Sequence, residues 1–104
     1  MARLVVSSET QADLDEILRW LTHEAGGSVA LRYATKFRAA FRHLMAFPEI
    51  AARRPKLARD MHIWPVAPYV IFYRFVMAEE VWVVRILHGR RDVTERLFGP
   101  QVMR

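Results

Sequence analysis

The sequence predicts an α+β domain of order β-α-α-β-β-β, in which a helical hairpin packs on one face of an antiparallel sheet of about four strands. Three observations carry this. Two successive apolar stripes at helical spacing meet across Gly26 and Gly27, and three runs rich in Val, Ile, Tyr, Phe and Trp lie between Met61 and Leu87. The links between those runs are so short that neighbouring strands must be antiparallel.

Residues 2–7 read as the first strand. Ser8 with Gln11 three positions on resembles a capping box opening a helix. Leu14, Ile17, Leu18 and Leu21 then recur at i, i+3, i+4 and i+7, leaving Asp13, Asp15, Glu16 and Arg19 on the other sides. Gly26 and Gly27 stop this helix, and Ser28 caps a second, whose Ala30, Ala34, Phe37, Phe41, Leu44 and Met45 share a face until Pro48. A basic loop follows, carrying Arg53, Arg54, Lys56 and Arg59. The strands are expected at 61–66, bounded by Pro65 and Pro68, at 69–76, and at 81–87, with Ala78, Glu79 and Glu80 as the last turn.

A chain of 104 residues with 53% hydrophobic content buries one ordinary core, so a single domain spanning 1–104 is expected. No apolar run approaches the length that spans a bilayer, and Met1 to Ser8 lacks the apolar core of a secretion signal, which places the expectation in the cytoplasm. The absence of cysteine excludes disulfides and thiolate metal sites. His23 and His43 have no carboxylate at ligand spacing, so no metal and no cofactor is assigned. Residues 1–52 carry as many acidic as basic side chains, and the whole net charge of +5 lies in the second half. Lys36 and Lys56 are the only lysines among sixteen basic residues; this preference for the arginine fork suits an anionic partner, nucleic acid or acidic protein, and equally suits an Arg-rich codon usage.

Read together, several short motifs resemble the ParE and RelE superfamily of small bacterial toxins, the plasmid stabilisation proteins. They are Ala12, Asp13, Leu14 and Ile17; Phe41, Leu44 and Pro48; Arg54, Pro55 and Leu57; Tyr69 to Arg74; and Val84 to Asp92, which ends in His88, Gly89, Arg90, Arg91 and Asp92. The likeness covers nearly the whole chain and is closer to ParE. Ala51 and Ala52 stand where a Gly is common, and His62 where an Arg is common. The resemblance implies the toxin of a type II toxin–antitoxin pair, neutralised by a cognate antitoxin protein. It leaves the target open, because RelE-like members are ribosome-dependent mRNA endonucleases and ParE-like members bind DNA gyrase.

RNA cleavage through the 2′-hydroxyl needs a base, an acid and cations on the phosphate. The candidates are His88 with Arg85, Arg90 and Arg91, and His62 with Arg59 approaching from the first strand of the meander. Against this, the segment after Asp92 is apolar where an RelE-type Tyr would fall, and the central strands carry few cations. Each candidate also has a plainer reading. His88 organises a turn, Arg85 pairs with an acid on a neighbouring strand, and Tyr69 and Tyr73 are core with hydroxyls at its edge. Trp64 or Trp82, if exposed, anchors a protein contact.

The expected function is therefore ParE-like: binding of DNA gyrase without bond-breaking chemistry, with His88, Arg90, Arg91, Arg59 and Arg54 as target-binding residues and no catalytic residue assigned. Direct nucleic-acid contact is secondary in this reading, and no membrane partner is expected. The antitoxin segment is expected to fold across the groove between helical hairpin and sheet. Two alternatives stand beside it, an RelE-like ribosome-dependent mRNA endonuclease using His88, Arg85, Arg90 and Arg91, and an inactive toxin-fold binding module.

Overall fold

A computed structural model describes residues 1–48, 52–53 (backbone only), 61–76 and 79–89. The elements run β1 (Arg3–Val6), α1 (Ser8–Ala25), α2 (Gly27–Ala46), β2 (Ala52–Arg53), β3 (Met61–Val66), β4 (Tyr69–Val76) and β5 (Glu80–His88). This is the expected α+β order, extended by the two-residue β2. The sheet order is β1-β5-β4-β3-β2.

One feature of the sheet differs from expectation. β2 to β5 pair antiparallel, but β1 lies parallel to β5, with Leu4 opposite Val81 and Val6 opposite Val83. The sheet is mixed. Parallel neighbours need a long crossover, and the helical hairpin together with the meander supplies one between the first strand and the last.

Both helix starts also shift, the first by one residue and the second by two. Ser7, not Ser8, caps α1: its Oγ accepts the Thr10 N–H at 3.0 Å and lies 2.9 Å from the Val84 carbonyl oxygen. Only Ser7 is placed to reach both the first turn and β5. At the hairpin bend Gly26 does what Ser28 was expected to do. Its N–H donates to the Thr22 carbonyl, and its own carbonyl accepts from Ala30. Its φ of 93° is a conformation that suits glycine, so one residue ends α1 and starts α2.

The near-continuous apolar runs of β4 and β5 reflect burial on both sheet faces. Phe37 and Leu44 of α2 pack with Tyr69, Ile71, Tyr73, Val81, Val83 and Ile86; Met61, Phe72, Val84 and Leu87 form a second cluster on the opposite face. Strict alternation would send Ile86 away from Val83. A bulge resolves this: Tyr73 pairs with Val83 and Phe72 with Arg85, so Val84 is the extra residue and the alternation changes phase after it. The bulge thereby sets which face each of the last four residues of β5 presents.

Candidate functional site

β1 stops pairing at Val83, which leaves the last part of β5 as a sheet edge. Side chains from the start of α1 cover it. The Thr10 hydroxyl donates to the Val83 carbonyl at 3.0 Å, and the Asp13 carboxylate accepts the Ile86 N–H at 2.9 Å. The same carboxylate holds Arg85 in a two-point fork, Nε to Oδ2 and Nη2 to Oδ1 at 2.8 Å each. Both side chains are largely buried, 15% and 13% exposed. The hydrogen bonds that Arg85 donates to Asp13 raise its pKa above the ordinary value against the opposing effect of burial, and the charges of Asp13, Glu9 and Glu16 act in the same upward direction.

Beyond this pair, β5 ends at His88, which is exposed and sits edge-on to the Tyr69 ring with centroids 5.7 Å apart. Tyr69 is buried against Tyr33 and Phe37, and burial, followed by the neighbouring Tyr33, pushes its phenol pKa up. Gly89 then closes the tip onto the β3–β4 turn, its N–H donating to the Pro68 carbonyl at 2.7 Å. A Cβ at this position would stand 3.1 Å from that oxygen, so the close approach favours glycine.

Between α1 and this end of β5 lies a groove of about 230 Å³, lined by Asp13, Glu16, Ile17, Trp20, Tyr69 and His88 with Ile86 and Leu87. Trp20 is 57% exposed. It is the feature the sequence reading passed over, although its signal was present: Trp20 falls outside the 14, 17, 18, 21 apolar stripe, where a large aromatic has no core to fill. Trp64 and Trp82, expected to anchor a protein contact only if exposed, do not meet that condition. Trp64 is half-buried and stacked on His43 at 4.7 Å, and Trp82 donates its Nε1–H to Glu80 at 2.9 Å.

The remaining sequence candidates separate. Arg85 is paired with an acid, as its plainer reading held, but the acid comes from α1 instead of a neighbouring strand. His62 does not approach His88. It is 6% exposed, stacks on Tyr73 at 5.1 Å, and pairs with Tyr73 in the ladder while His88 pairs with Tyr69. Four residues along β4 put these rungs about 14 Å apart, with two strand spacings, about 10 Å, between β3 and β5. Tyr69 and Tyr73 are core, and the Tyr73 hydroxyl donates to the Pro48 carbonyl at 2.7 Å. Arg54, Arg59, Arg90 and Arg91 lie outside the described residues. Among the described residues, no three His, Asp or Glu side chains gather at metal-binding distances, and no helix is long and apolar enough to cross a membrane.

With this geometry in place, a family model for the ParE toxin of the type II toxin–antitoxin system, parDE, matches residues 4–93. The chain belongs to this toxin family. The match takes in both helices, the meander and the His88 tip. A search of curated proteins returned no match. A solved chain described as "Chromosomal ParDE TA system from P. aeruginosa" is 22% identical and superposes with a TM-score of 0.70, over 85% of this ParE chain and 96% of that one. At that identity the likeness concerns the fold.

Proposed function

We propose that this ParE-family toxin acts, as one domain, by binding DNA gyrase through the β5 tip, with His88 and the sequence-adjacent Arg90 and Arg91 as contacts and Arg54 and Arg59 of the basic loop supporting them. The observation that carries this reading is the Asp13–Arg85 fork. A ribonuclease at His88 would use Arg85 to stabilise the crowded phosphate, and the carboxylate engages that guanidinium instead. His62, the second candidate base, is buried at a distant rung. Binding needs neither residue.

Neutralisation follows from the same geometry. A cognate antitoxin segment seated in the α1–β5 groove buries Trp20 as its anchor and covers His88 at the groove's end. One occupant then masks the target-binding tip. The test is DNA supercoiling by purified gyrase with and without the toxin, run beside a translating-ribosome assay. Inhibition of supercoiling with intact transcripts supports the reading. Unaffected gyrase with cut mRNA, abolished by His88→Ala, supports the RelE-like alternative, and no effect in either assay or on growth supports the inactive module.

A further inference from the structure

The charge balance of residues 1–52 conceals a segregation between the two helices. α1 carries Glu9, Asp13, Asp15, Glu16 and Glu24 against Arg19 alone, whereas α2 carries Arg32, Lys36, Arg38 and Arg42 and no acid. All four α2 cations are exposed. None has an ion-pair partner among the described residues; Lys36 lies over the Tyr33 ring, 4.8 Å from its centroid. Arg32 with Lys36 and Arg38 with Arg42 are like-charged neighbours at i, i+4, an arrangement that disfavours a helix unless an anion relieves it.

We infer that the outer face of α2 is a contact surface for the phosphate backbone of duplex DNA. Its core side is fixed by buried Ala30, Phe37, Ala40 and Leu44. The opposite crest presents the small, exposed residues Ser28, Thr35 and Ala39. Helical spacing puts Arg32 and Lys36 on one side of that crest and Arg38 and Arg42 on the other, with about 15 Å between the first and last cation. A small crest lets the helix backbone approach closely, and the flanking cations meet phosphates on either side of it.

The composition of the face distinguishes DNA from an acidic protein segment. Protein interfaces are dominated by aromatic anchors, whereas among the described residues of α2 itself the exposed large apolar residue is Leu31; the exposed aromatics Phe47 and Trp20 lie at the C-cap of α2 and on α1 at the groove. A polar, strongly cationic surface without such an anchor matches what a DNA backbone requires. The acidic side chains stay on the other helix, and two of them, Asp13 and Glu16, line the α1–β5 groove.

The test is anisotropy of a labelled random-sequence duplex titrated with the full-length toxin across a salt series, with no gyrase present. The wild type should bind with affinity falling linearly in log–log salt. Replacing Arg32, Lys36, Arg38 and Arg42 by Gln should flatten that slope by about 0.9 per cation removed, whereas Arg19→Gln should leave it unchanged. Circular dichroism verifies the fold; should the quadruple variant not fold, the pairs Arg32→Gln/Lys36→Gln and Arg38→Gln/Arg42→Gln should each give about half the change. The inference is overturned if the wild type does not bind the duplex, if the α2 variants keep the wild-type slope, or if polyglutamate or phosphatidylserine vesicles bind the same face more tightly than DNA. Because gyrase is absent, failure here leaves the gyrase reading standing, and a negative supercoiling assay leaves this one standing.

Discussion

Two histidines sit on the sheet beside two tyrosines of β4, and they share almost nothing else. His62 stacks on Tyr73 and is 6% exposed, whereas His88 meets Tyr69 edge-on at the exposed end of β5. The first pair lies where β3 and β4 are covered, and Tyr73 is tied to Pro48 at the end of the helical hairpin. The second lies where pairing with β1 has ended and α1 side chains take over the edge. The comparison teaches that, against tyrosines that are core at both rungs, histidine serves as structure at one rung and as a presented surface at a rung four residues away along β4.

The largest expected effect breaks the covered end. Tyr73 is fully buried, so Tyr73→Ala should lose about 3–5 kcal/mol of stability in denaturant unfolding. The edge itself should be next. Asp13→Ala strands a largely buried guanidinium and the Ile86 N–H together, at a cost of about 2–3 kcal/mol by the same measurement. A loss near zero would mean that the fork is not what holds α1 to β5.

How much of this contrast was legible in the sequence depends on how local its causes are. The helices were readable because Leu14, Ile17, Leu18 and Leu21, and then Ala30, Phe37 and Leu44, repeat within a few turns. β3 and β4 were read to the residue because prolines and apolar runs bound them. The parallel pairing of β1 with β5 was not readable, since it joins residues far apart in sequence with no local signal. Nor was the bulge at Val84, which has no glycine to mark it. Arg85 could be seen to want an acid; that the acid is Asp13 depends on how α1 docks. The first cap failed for a narrower reason, because Ser7 and Ser8 are chemically alike and only their reach to Val84 separates them; the second failed because Gly26 both ends α1 and starts α2.

The exposed end allows finer tests. Trp20→Ala should weaken antitoxin binding by about 2 kcal/mol in calorimetry while leaving thermal unfolding little changed, because Trp20 is 57% exposed in the free toxin. Equal loss of stability and affinity would instead make Trp20 a core residue. Tyr69 supplies a pH signature. Its phenol pKa is raised in the folded chain, so the unfolded chain ionises first as pH rises. The resulting stabilisation is full below about pH 10 and is lost as pH climbs through the higher folded value. Stability measured from pH 8 upward should therefore fall more steeply in the wild type than in Tyr69→Phe; identical alkaline limbs would contradict the assigned burial.

The smallest expected change in stability accompanies the most informative change in function. His88 is exposed at the end of a strand, and His88→Ala should alter unfolding by less than about 0.5 kcal/mol. The direct measurement is the affinity of purified gyrase for wild type and His88→Ala, each with its melting curve. The account predicts a loss of about tenfold or more in affinity, or about 1.4 kcal/mol, with melting unchanged. Unaltered gyrase affinity in a folded His88→Ala variant would contradict it.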